Sequence, residues 1–169
     1  MAEEFLPAKL LELFGGRVTV DQGSKDMPCL IVPPGDLVEL CQTLRDDPAL
    51  QFNFLSDICA VDYLPQEPRF VLVYHLVSLP NLWRLRLKCP LPDPPSAPTV
   101  TPVWTTANWH EREAYDMYGI PFEGHPDLRR IYMWDEFDGY PMRRDFPLRG
   151  YKDDYNPLGV AKPPAEGGA

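Results

Sequence analysis

His110, Glu111 and Glu113 fall together in the run Trp109-His-Glu-Arg-Glu113, and an imidazole among carboxylates suits either metal ligation or proton transfer. The spacing argues against a metal. A zinc-protease helix carries a second histidine four positions after the first, and here that position is Ala114. His125 sits in a turn beside Pro126, with Glu123 and Asp127 close by, so an acid or base role is conceivable. No nucleophile, phosphate-cradling glycine loop or second positioned base accompanies it, and a turn histidine of this kind more often hydrogen-bonds its own loop. His75 lies inside the apolar run VLVYHLVSL and reads as a core or edge-strand residue. Cys29, Cys41, Cys59 and Cys89 include no Cys-x-x-Cys pair, so the spacing of zinc and iron–sulfur ligands is missing; a reduced, cytoplasmic chain with buried thiols is expected.

The composition narrows the remaining classes. A formal charge of −9 disfavours nucleic acid as a partner, because affinity for phosphate backbones comes from Lys and Arg displacing counterions. Arg129, Arg130, Arg143 and Arg144 cluster late in the chain and form a local basic patch suited to a protein surface. No apolar run is long enough to span a bilayer, and the acids of MAEEFLPAKLLELFGG stand where a secretory signal would carry bases. A soluble or peripheral chain is expected.

The elements that must position these residues follow from periodicity. Phe5, Leu6, Leu10, Leu13 and Phe14 share one side of a helix over Glu3–Phe14, stopped by Gly15-Gly16. Strands are expected at Arg17–Val20 and Cys29–Val32, followed by a break at Pro33-Pro34-Gly35. Asp36 is placed to cap a second helix, with Leu37, Leu40, Cys41 and Leu44 as its inner stripe and Pro48 beyond its end. Three strands follow at Leu55–Tyr63, Arg69–Leu79 and Leu82–Cys89. The proline density of 90–102 suggests a stiff extended linker without strands. A third helix over about 105–118 is capped by Thr105 or Thr106 and ended by Gly119 and Pro121. Its buried stripe is expected to be Ala107, His110, Ala114 and Met117, with Arg112 and Asp116 pairing on its surface. The fold class is α/β (α+β): a two-layer sandwich of a mixed sheet with helices on one face. Residues 1–118 form that domain, and 119–169 form an extended arm and polar tail.

The arm holds Tyr132, Trp134, Phe137, Tyr140, Phe146, Tyr151 and Tyr155 where prolines and glycines prevent any continuous element from burying them locally. Aromatics mixed with arginine are favoured at protein interfaces, so a partner polypeptide is the expected cover, although part of the arm could wrap its own sheet edge. Tyr132, Trp134, Tyr140, Arg143, Arg144, Asp145, Phe146, Pro147 and Tyr151 are the candidate partner contacts.

Three stretches carry a family resemblance: Glu111-Arg112-Glu113-Ala-Tyr-Asp116-Met-Tyr-Gly119-Ile, Gly124-His125-Pro126-Asp127-Leu-Arg-Arg130-Ile, and Gly139-Tyr-Pro141-Met-Arg143-Arg144-Asp145-Phe146-Pro147. Together they closely resemble the 30 kDa subunits (C subunits) of proton-translocating NADH:quinone oxidoreductase, respiratory complex I. The resemblance implies a cofactor-free subunit of the peripheral arm, with FMN, iron–sulfur clusters and quinone held by partner subunits. Its neighbours would be the large D subunit at the quinone site and the iron–sulfur subunits, on the cytoplasmic side of the bacterial inner membrane. Equivalent subunits occur in energy-converting hydrogenases and formate hydrogenlyases, sometimes fused to the D-like part; the end of the chain soon after the motif suggests an unfused subunit. A stand-alone acid–base enzyme using His110 or His125 is the remaining alternative. Within the resemblance, Glu111, Arg112, Glu113 and Asp116 are expected to form an ion-paired helix that sets the exit of the arm. Gly119 would permit the helix stop, His125-Pro126 would turn the chain toward Arg130, and Arg143–Pro147 would grip the D-like partner.

Overall fold

The structure is a computed structural model, and it describes residues 9–152 and 155–162. The expected first helix is present as α1 over residues 9–14, which runs into a 3-10 turn at Gly15–Arg17; residues 3–8 of that expectation lie outside the described residues. β1 (Thr19–Val20) and β2 (Cys29–Ile31) follow, then α2 (Pro34–Asp46), β3 (Phe54–Asp62), β4 (Phe70–Ser78), β5 (Trp83–Pro90), β6 (Ala97–Pro98), α3 (Ala107–Tyr118) and β7 (Phe122–Glu123).

The first five strands form one mixed sheet in the order β1-β2-β5-β4-β3, with β2 and β5 parallel and every other neighbouring pair antiparallel. Register assigns the faces. Ile58 lies opposite Tyr74 and Tyr74 opposite Leu87, while Ala60, Leu72 and Cys89 form the next inward row. These residues join Leu10, Phe14, Leu37, Leu40, Cys41 and Leu44 from the helices in one core. Asp57, His75 and Arg86 form a row on the opposite face, because side chains alternate along a strand. Helices therefore pack on one layer only, as the sequence suggests.

Three local expectations are corrected. Pro33-Pro34-Gly35 starts a helix instead of separating elements: Pro34 occupies the first helical position, where its fixed φ fits and its missing N–H costs nothing, and Asp36 falls inside the first turn without capping it. Thr106 precedes α3 but makes no capping hydrogen bond. The proline-rich stretch is not a free linker, since Leu91, Ala97 and Val100 are buried and β6 pairs in parallel with β7. Prolines tolerate this because the ladder takes its donors on either side of Pro98, from Ala97 N to Pro121 O (3.2 Å) and from Thr99 N to Glu123 O (2.9 Å).

Candidate functional site

The arm leaves α3 through Gly119, whose φ of 70° lies in the left-handed region, and a side chain there would also collide with Tyr140 and Arg143. Space and backbone both require glycine at this position.

α3 carries its charges inward. Glu111, Arg112 and Asp116 are buried, whereas His110 and Met117 are only half-buried, so the expected Arg112–Asp116 surface pair is replaced by two separate anchors. The physical reason is that residues 99–100 and 129–133 lie along the helix and supply backbone partners. Asp116 Oδ2 accepts the consecutive N–H groups of Ile131, Tyr132 and Met133 at 3.0, 2.7 and 3.0 Å, and its Oδ1 accepts Arg130 Nη1 at 2.9 Å. Burial alone would raise its pKa, but these donors outweigh burial and hold the carboxyl below its ordinary value. Arg112 donates to the carbonyls of Arg129 (3.1 Å) and Arg130 (3.4 Å) and lies under the ring of Trp109. Glu113 is exposed and borders an apolar groove with Ile58, Cys59, Met117 and Met142.

Glu111 is fully buried and accepts Thr99 Oγ1 at 2.5 Å and Val100 N at 2.7 Å. Desolvation pushes its pKa up to about 7 against those two donors. His125 Nε2 lies 3.9 Å away. His125 Nδ1 accepts the N–H of Asp127 (3.0 Å), so the neutral ring carries its proton on Nε2, which faces Asn108 O at 3.2 Å. With both nitrogens occupied and its side chain sealed from solvent, this imidazole offers no face to a substrate. It braces the turn, while Pro126 beside it is exposed.

A second anchor lies across the sheet, at the end of β3. Asp62 accepts a fork from Arg69 (3.1 and 2.9 Å), the N–H of Leu64 (3.0 Å) and the N–H of Arg144 (3.0 Å). Burial works in the opposite direction, yet these bonds hold its pKa at about 2. Arg69 also pairs with Asp145 at 2.9 Å, and Arg144 Nη1 reaches Leu64 O at 2.8 Å. Arg143 donates to Tyr118 O at 2.6 Å and stacks between the rings of Tyr140 and Phe70. Arg130 extends the set to the carbonyls of Phe137 and Gly139 and lies over Tyr140.

The residues expected to grip a partner therefore divide into two groups. Arg143, Arg144 and Asp145 hold the arm to its own body, a correction that follows from Asp62 and Arg69 offering buried charges in need of partners. Phe146 packs with Phe137 and edge-on to Tyr151, Trp134 stands edge-on to Phe137, and Pro147 and Tyr140 are half-buried in the same fold of the arm. Tyr132, Trp134, Met142, Leu148, Tyr155 and Leu158 remain exposed. Sequence reasoning missed Asp62 and Thr99. Asp62 had a signal, since it continues the inward set Ile58, Ala60 and so places a carboxylate at a core position.

Asp57, Cys59 and His75 bring ligand atoms within 4.8 Å of one another on the outer sheet face, with His110 Nδ1 3.4 Å from the Asp57 carboxylate. The donor set does not suit a metal. Arg86 Nε donates to His75 Nε2 at 3.0 Å, which leaves the neutral proton on Nδ1, the nitrogen facing the cluster, and puts a cation beside it.

Residues 30–152 match the family model described as "Respiratory-chain NADH dehydrogenase, 30 Kd subunit". The second of two C subunits of the NADH-quinone oxidoreductase of Rhizobium etli (strain CIAT 652) is 60% identical over 157 residues, covering 93% of this chain and 84% of the relative. Its namesake from Rhizobium meliloti (strain 1021) is 62% identical over 89% of this chain and 83% of its own. The NADH-quinone oxidoreductase C subunit of Burkholderia cenocepacia (strain HI2424) is 47% identical over 88% and 78%. Among solved structures, a chain of the membrane-bound sulfane sulfur reductase, an archaeal respiratory membrane complex, shares the fold with a TM-score of 0.73 at 24% identity, covering 88% of this chain and 87% of that one. The matched residues run from β2 past both anchors of the arm, and the chain belongs to the family of the 30 Kd subunits of respiratory-chain NADH dehydrogenase.

Proposed function

We propose that this chain is a non-catalytic, cofactor-free assembly subunit of an NADH:quinone oxidoreductase that couples electron transfer to proton translocation, and that it docks through the outer side of its arm. One observation carries the docking role: the arm is fixed to its own body by Asp62 and Asp116, yet it leaves Tyr132, Trp134, Met142 and Leu148 in solvent. Rigidly held, exposed aromatic and aliphatic side chains are the composition of an interface core before its partner arrives. The large quinone-site protein, the D subunit, is the partner we assign to this face, with iron–sulfur subunits as further neighbours; FMN, clusters and quinone belong to those chains. No helix among the described residues is long and apolar enough to cross a membrane, which accords with a peripheral position on the cytoplasmic side of the bacterial membrane.

A tagged chain carrying Leu148→Glu, with Leu148 fully exposed, separates folding from docking. The expected outcome is an unchanged circular dichroism spectrum with loss of co-purifying flavin- and cluster-bearing subunits from detergent-solubilised membranes. Normal recovery of those subunits would overturn the docking role. Recovery of a hydrogenase large subunit with the wild-type chain would instead assign it to the related hydrogenase assembly.

A further inference from the structure

Trp109 is an anomaly on α3. The ring is 63% exposed although it belongs to a packed element, and Tyr132, at 62%, is exposed nearby. The two belong to one patch. Trp109, Arg112 and Asp116 follow each other along one side of the helix at helical spacing, and residues 129–133 run beside that side, held by Arg112 at 129–130 and by Asp116 at 131–133. The Arg112 guanidinium lies 4.9 Å from the centre of the Trp109 ring.

The charge at this point is unbalanced. Arg112 bonds only to backbone carbonyls, and among the described residues no carboxylate pairs with it. Its Nη1 has no hydrogen-bond partner and is not sealed from water, since Tyr74 Oη is the buried side-chain polar atom left without one. An arginine steadied by an aromatic face, with one amine edge still open, is suited to a carboxylate, which it binds by charge-assisted hydrogen bonds. Flanking aromatics exclude water from such a contact and raise its value.

We propose that Trp109, Arg112 and Tyr132 form a docking hot spot for an Asp or Glu side chain on a second subunit of the complex, with the two rings entering an apolar recess around that carboxylate. The proposal rests on the reading of this chain as an assembly subunit and adds a contact separate from Leu148. It treats the first turns of α3 as part of the interface, outside the arm itself.

The test uses the full chain in the assembled complex. A benzophenone-bearing residue placed at position 109 should crosslink to a sibling subunit within a segment that carries Asp or Glu, and Trp109→Ala should lower the assembled fraction on the order of tenfold or more. Trp109→Phe should restore assembly, because a phenyl ring still covers the guanidinium. Changing the crosslinked carboxylate to its amide should reproduce the Trp109→Ala loss. A complex that assembles normally with Trp109→Ala and yields no crosslink at position 109 would overturn the hot spot while leaving the assembly role intact, as would a crosslinked segment without a carboxylate. A wild-type chain that enters no complex would overturn both.

Discussion

Glu111 shows at the scale of one residue how burial turns into pH dependence. Its folded pKa of about 7 stands above the ordinary 4.5, so the folded chain keeps a proton that the unfolded chain releases. This stabilising contribution is complete below about pH 4.5, declines through the interval up to 7 and is gone above it, a swing on the order of 3 kcal/mol. His75 has its pKa lowered by desolvation and by Arg86, and it pulls the opposite way in part of the same interval. The difference between wild type and Glu111→Gln isolates the glutamate: urea unfolding from pH 5 to 8 should show the wild type losing stability relative to the variant as pH rises. Parallel curves would contradict the assignment. Asp116 works in the reverse sense, with a lowered pKa and donors on both oxygens. Asp116→Ala removes the acceptor of three buried amides and strands Arg130, and a loss of about 3–5 kcal/mol in the same assay is expected.

The elements were legible to different degrees, for physical reasons. The three long strands and the two described long helices lie within one or two residues of the positions implied by alternation and helical spacing, because one face of each is buried against a single core. The start of α2 was misread because two prolines look like a break when only their own residues are considered, while the first helical turn accepts one. β6 was invisible because two residues carry no periodicity, and its pairing depends on β7 arriving from the far side of α3. The inward charges of α3 were assigned to solvent, since nothing in a helical wheel reveals that a later segment will cover it. Gly119 is the test at this scale. Gly119→Ala places a side chain at φ 70° against Tyr140 and Arg143, and a cost of roughly 1–3 kcal/mol is expected, read as a lowered thermal midpoint with Tyr140 displaced. An unchanged midpoint would show that the exit of the arm tolerates a different path.

Across the whole molecule, the boundary after Tyr118 suggested by the sequence is crossed by the β6–β7 pair and by both aspartate anchors. A chain cut there would leave Asp62 and Asp116 with buried charge and too few donors, so the fragment 1–118 is expected to be insoluble or expanded, with size-exclusion chromatography and near-UV circular dichroism as the readout. A compact, cooperatively unfolding fragment would show that the arm is dispensable to the body. The charge of −9 is also unevenly used, since the arginines of the arm are largely consumed in holding it down. The three amides that converge on a single oxygen of Asp116 fix the register of this segment. Sliding by one residue would leave a buried amide without an acceptor. A protein approaching this surface meets a template already set during folding, so its encounter need not wait for the strap to order, and its recognition is preorganised rather than induced.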